Sequence, residues 1–148
     1  MAQIFFMFDK GLMGKFLKLT TGCSAYHTGF LADGCIYDIS PKGSRKFRAL
    51  SYLEGKTYTL VETPVYLPTS YLESLVCQEE PYGYLDYIGF LFRTFNLKAR
   101  DMYGQICSEK VLEDLYANGW RPDGWKPGNS PPSPCELLRM LNGSRYHN

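Results

Sequence analysis

Two side chains in this sequence are equipped for nucleophilic chemistry: a thiol at Cys107 and an imidazole at His27. Cys107 lies in Gln105-Ile106-Cys107-Ser108-Glu109, directly ahead of a helical stretch whose buried stripe is Val111, Leu112 and Leu115. One turn before Val111, the thiol falls at the inward edge of that stripe. If the helix begins at Cys107, its free N–H groups favour a thiolate and can hold an oxyanion. His27 sits in Tyr26-His27-Thr28-Gly29-Phe30, which reads as a strand, and the other histidine, His147, is next to the last residue. His27 is therefore the imidazole to pair with Cys107 across a cleft. The plainer alternatives are a packing cysteine, common for this residue type, and a satisfied strand histidine.

A third group follows from the hairpin. Asp33-Gly34 between two apolar runs signals a two-residue turn. Ala32 then pairs with Cys35, His27 faces Ser40, and Asp38 lies diagonal to His27 on the same sheet face. A carboxylate there fixes the histidine tautomer and stabilises the imidazolium. A one-residue change in the turn would send Asp38 to the other face, leaving an ordinary strand-end residue. Tyr82, Tyr84 and Tyr87 form an aromatic patch ahead of Cys107, and one of their hydroxyls can serve an oxyanion. Glu109 suits a first-turn position. Trp120 and Trp125 flank a Pro/Gly-rich stretch, as cleft lining or as anchors for that loop.

The elements that must position these groups follow from pattern. Residues 3–8 form an apolar run suited to a buried strand. Residues 10–21 place Leu12, Met13, Phe16, Leu17 and Leu19 opposite Lys15 and Lys18, an amphipathic helix. Residues 26–32, 35–40, 45–50 and 57–63 read as strands. A helix runs from Thr69 or Ser70 to about Gln78, where Ser70 and Glu73 have capping-box spacing. Residues 84–95 read as a buried helix and 96–104 as a loop, before the helix from Cys107 to Asn118-Gly119. After a loop at 121–132, Ser133-Pro134-Cys135-Glu136 opens a last helix ending at Asn142-Gly143.

At 148 residues the chain fits one domain over 1–148, with no repeat and no separating linker. A net charge of +1 gives no electrostatic case for nucleic acid. No stretch approaches the roughly 20 apolar residues of a membrane span, so the basic face of the first helix allows a weak membrane-surface contact at most. The first ten residues lack a basic n-region and cleavage site, against a signal peptide. The cysteines at 23, 35, 77, 107 and 135 are odd in number and irregular in spacing, against a disulfide framework and for a reducing, cytoplasmic setting. A zinc site on Cys23, His27 and Cys35 would lack a paired C-x-x-C knuckle.

The order of these motifs resembles the circularly permuted NlpC-like papain group, which includes YiiX-like hydrolases and lecithin retinol acyltransferase relatives. Thr21-Gly22-Cys23-Ser24-Ala25-Tyr26-His27-Thr28-Gly29, Asp33-Gly34 and Tyr37-Asp38 match its early half; Cys107-Ser108-Glu109-Lys110-Val111-Leu112 matches its late cysteine helix. Pro81-Tyr82-Gly83-Tyr84 is similar to its tyrosine-bearing segment, and Ser133-Pro134-Cys135-Glu136-Leu137-Leu138 to a terminal helix of some members. Two departures stand: His-Thr-Gly for the usual His-Val-Gly, and Asp for the common Glu. The resemblance implies an α+β papain-like domain, a small antiparallel sheet with packed helices. It implies Cys107 as nucleophile, His27 as base, Asp38 as orienting group and Tyr82 as an oxyanion or substrate contact. The expected function is cofactor-free, thiol-dependent hydrolysis of an amide in a peptide-like or small amide substrate. Lipid acyl transfer and a non-catalytic binding module on the same scaffold are the rivals, and fold does not choose among them.

Overall fold

The computed structural model describes residues 1–8, 10, 11, 15, 19, 23–40, 43–77 and 99–143. Five strands, β1 (Gln3–Phe8), β2 (Ala25–Ala32), β3 (Cys35–Ser40), β4 (Gly43–Arg48) and β5 (Thr57–Glu62), form one open antiparallel sheet in the order β4-β3-β2-β1-β5. Four helices lie wholly within the described residues: α1 (Ala49–Leu53), α2 (Thr69–Cys77), α3 (Ala99–Ala117) and α4 (Pro134–Gly143).

The β2–β3 hairpin has the expected register, with Ala32 opposite Cys35 and Gly29 opposite Asp38. Asp33 (φ 48°) and Gly34 (φ 71°) both take the left-handed conformation that a two-residue turn of this hand demands. The strand expected over 45–50 ends at Arg48, and the chain then turns into α1. This short helix carries the chain from one edge of the sheet toward the other, where β5 pairs with β1.

The sheet buries both faces. On one, Ile4, Phe6, Phe30, Tyr37 and Val61 pack against Leu72, Val111, Leu112, Leu115 and Leu137 from the helices. On the other, Phe5, Met7 and Ile36 pack under Leu53. Each fully buried large side chain contributes on the order of 1.5–3 kcal/mol, and strands apolar on both faces, such as β1, require cover on both.

Helix ends follow local chemistry. At α4, Ser133 N–H donates to Glu136 Oε2 (2.7 Å) and Glu136 N–H to Ser133 Oγ (3.2 Å), the expected reciprocal cap. At α3, Trp120 N–H reaches Leu115 O (3.0 Å) and Gly119 N–H reaches Tyr116 O (3.1 Å), with Gly119 at φ 105°. Glu73 serves no capping box; its carboxylate accepts from Tyr37 Oη (2.7 Å) and pairs with Lys46, tying α2 to the sheet. Of the helix expected over 10–21, Lys15 and Leu19 are helical. The helix expected over 84–95 lies outside the described residues.

Two expectations are overturned. The loop placed at 96–104 is helical from Ala99, so α3 starts two turns before Cys107. Ala99, Arg100, Met102 and Gln105 are good helix formers, and the single Gly104 costs only about 1 kcal/mol. Cys23 and Cys135 form a disulfide, with Cα atoms 6.0 Å apart. Their separation of 112 residues explains why no spacing rule paired them, and the bond removes the cysteine argument for a reducing compartment. Among the described residues, no helix is long and apolar enough to cross a membrane.

Candidate active site

The hairpin register brings His27 and Asp38 together. Gly29 pairs with Asp38 on one side and with Phe5 on the other, while His27 pairs with Met7. His27 and Asp38 thus share the sheet face of Phe5 and Met7. The ring of His27 lies 5.7 Å from that of Phe5, centroid to centroid. His27 Nε2 and Asp38 Oδ1 are 2.5 Å apart, with about 15% and 14% of each side chain exposed. A charge-assisted bond of this kind settles the tautomer. With Nε2 engaged by the carboxylate, Nδ1 is the nitrogen left to exchange a proton with another group.

Gly29 explains the His-x-Gly pattern. A Cβ placed there would come within 2.7 Å of both the Phe5 ring and the Tyr37 carbonyl oxygen. The missing side chain lets the Phe5 ring lie directly on β2. Phe5 in turn touches Tyr52 edge-on at 5.9 Å, so one fully buried ring supports both His27 and its neighbour.

Tyr52 is a site residue that sequence reading missed. Its hydroxyl is near enough to Asp38 that burial, then the Asp38 charge, pushes its pKa well up, so it stays protonated at any ordinary pH. Its ring stacks on Phe47 at 5.0 Å, and Lys56 Nζ sits 3.9 Å from its centroid. Asp38 thus accepts from His27 and acts on Tyr52 through its charge, which makes it a member of this cluster rather than an ordinary strand-end residue. Residues 45–50 read as strand, so Tyr52 fell past its end; only α1 turns it back over the sheet.

Cys107 is coupled to this cluster through charge. α3 packs on β2 and β3 through the face of Phe30 and Tyr37, opposite that of His27 and Asp38, and Asp38 is near enough for its charge to act on the thiol. The thiol is fully buried. Burial first, then the Asp38 carboxylate, push its pKa well up, opposed only by its own backbone N–H. This corrects the expectation of a thiolate-favouring helix start. Cys107 lies inside α3, where the neighbouring N–H groups belong to the helix ladder rather than to an oxyanion. In the resting structure it is a neutral thiol.

The remaining candidates resolve differently. Ser108 is fully buried and its hydroxyl donates to the Pro132 carbonyl, fastening α3 beside Cys107 to the segment that enters α4. Glu109 is half-buried and held above the usual carboxylate range by burial and by Glu113. Trp120 and Trp125 are core residues, and Trp125 packs edge-on against Tyr116 at 5.7 Å. Cys23, weighed as a zinc ligand, is bound to Cys135. Tyr82 lies outside the described residues, as do Tyr84 and Tyr87.

The chain matches no family model, no curated protein and no solved structure.

Proposed function

We propose that this protein is a thiol-dependent hydrolase of amide bonds, built as a papain-like domain of the circularly permuted NlpC-like kind. The reading is supported by one observation: an imidazole–carboxylate pair, His27 and Asp38, joined at 2.5 Å, whose carboxylate charge acts on the buried thiol of Cys107. His27 Nδ1 takes the Cys107 proton as sulfur attacks the carbonyl carbon. Asp38, bonded to Nε2, steadies the imidazolium that forms. The imidazolium then protonates the departing amine, leaving a thioester. Water, deprotonated by the same Nδ1, releases the acid and restores the thiol. Because Cys107 is buried and neutral at rest, proton transfer accompanies attack, and the cover over the thiol must open to admit substrate.

That burial favours a second reading, a non-catalytic binding module in which Cys107 is a core residue and the His27–Asp38–Tyr52 cluster a structural network. Turnover of a pooled short-peptide and muropeptide panel separates the two. For the hydrolase, Cys107→Ala abolishes cleavage and His27→Ala lowers it roughly 100- to 10,000-fold. Cleavage that survives both substitutions would sink the hydrolase, and absence of turnover in the wild type would leave the module. Release of fatty acid from phospholipid vesicles, dependent on Cys107 and without peptide cleavage, would move the chemistry to lipid esters.

A further inference from the structure

An apolar groove lies on the same sheet face as His27 and Asp38. Its volume is about 620 Å³, within the usual range for small-ligand sites. It is lined by Leu31, Leu50, Leu53, Tyr58 and Leu60, and among the described residues Glu54 is the one charged side chain in its lining. Three of these side chains are unusually open for apolar groups: Leu50 is 91% exposed, Tyr58 42% and Leu60 37%.

The sheet register ties this groove to the candidate site. Tyr58, Met7 and His27 form one row across β5, β1 and β2. Leu60, Phe5, Gly29 and Asp38 form the next row. Tyr58 therefore stands two strands from His27, and Leu60 three strands from Asp38. At about 4.8 Å per strand, Tyr58 lies roughly 10 Å from His27. An extended chain covers that distance in about three residues. α1 serves both places, giving Tyr52 to the carboxylate cluster and Leu50 and Leu53 to the groove wall.

Resting on the hydrolase reading, we infer that this groove is a specificity subsite for an uncharged apolar side chain, leucine-like in size, about three residues from the scissile amide of a peptide-like substrate. The leucine walls supply the apolar surface. The Glu54 carboxylate at the groove repels acidic side chains and the phosphate of an anionic lipid alike. Buried hydrophobic fit then sets which substrates reach the thiol with their carbonyl beside His27.

The test reads binding and turnover separately. Methyl-labelled Cys107→Ala protein is titrated with acetyl-Leu-Gly-Gly-amide and acetyl-Glu-Gly-Gly-amide, and methyl resonances of Leu31, Leu50 and Leu60 are followed. The leucine peptide is expected to shift them and the glutamate peptide to leave them unmoved. Leu50→Asp, at a site too exposed to disturb the core, weakens binding at least about tenfold; Leu60→Asp is the second variant. Wild-type cleavage of a peptide library should favour an apolar residue about three positions from the cut, with the preference lost in Leu50→Asp. Cleavage with no such preference overturns the subsite and leaves the hydrolase standing. Selective leucine-peptide binding without any cleavage upholds the groove and removes the hydrolase. Equal response to both peptides, or response only to phosphatidylcholine vesicles, overturns the inference.

Discussion

Gly29→Ala tests whether the candidate site depends on a backbone left bare. The added methyl carbon would approach Phe5 Cε1 and the Tyr37 carbonyl oxygen at 2.7 Å, and Phe5 Cζ at 2.9 Å. All three distances are well inside van der Waals contact. Phe5 is fully buried between β2 and Tyr52, so its ring cannot swing away freely. The Tyr37 carbonyl belongs to the neighbouring strand and moves only with it. Overpacking of this sort costs about 1–3 kcal/mol. Loss of glycine's freedom in the unfolded chain returns about 0.4–1 kcal/mol. The net expectation is destabilisation by roughly 1–2 kcal/mol, a fall in Tm of roughly 2–8 °C at this size. Urea titration of both proteins measures it. Phe5→Leu in the Gly29→Ala background should recover part of the loss, with a coupling of at least about 0.5 kcal/mol between the two positions. Recovery stays partial because the Tyr37 carbonyl is unchanged. A Gly29→Ala protein as stable as wild type, or two additive substitutions, would refute the close-packed arrangement and with it the reason for glycine after His27.

Three further outcomes follow from the site and its frame. In native protein, alkylation of Cys107 by iodoacetamide should be slow at pH 7 and climb with pH, because burial and Asp38 raise its thiol pKa; mass mapping of the modified peptide reads the rate, and rapid labelling at neutral pH would contradict a buried neutral thiol. Reducing Cys23–Cys135, or replacing Cys23 by serine, should cost about 3–5 kcal/mol for a loop of this length, seen as a lower urea midpoint; an unchanged midpoint would argue that the bond does not form. Burial, only partly offset by Lys110 and by Tyr71, raises the Asp114 pKa from its ordinary 3.8. The folded state therefore holds that proton more tightly, and stability falls as pH rises from about 4 through the raised value. Asp114→Asn should flatten this decline in urea midpoints taken across pH, with a residue left by Glu109 and Glu113, which shift the same way. An unaltered slope would remove Asp114 as its source.

The hairpin carrying His27 and Asp38 was legible because its rules are local. Two left-handed residues at Asp33-Gly34 fix the turn, the turn fixes the register, and the register fixes the face. The Ser133–Glu136 cap and the Asn118-Gly119 stop were readable for the same reason. The start of α3 was not, since Gly104 and the polar run before Cys107 imitate a loop while remaining helix-compatible. That single misreading carried the oxyanion and thiolate arguments with it. Tyr52 was hidden because α1 is one turn long and has no side-chain hydrogen bond at its cap; its place over Asp38 comes from packing on Phe5 and Phe47. The disulfide was invisible because it joins residues that only the tertiary fold brings near.

That disulfide also changes what the chain is as a covalent object. By joining Cys23 to Cys135 across 112 residues, it closes a ring that contains β2 to β5, α1 to α3, and His27, Asp38, Tyr52 and Cys107 together. A single proteolytic cut between the two cysteines would leave one molecule rather than two fragments. Its pieces would separate on a gel only after reduction. The site's parts, far apart along the chain, would thus survive a nick as a tethered set able to re-form without meeting by diffusion.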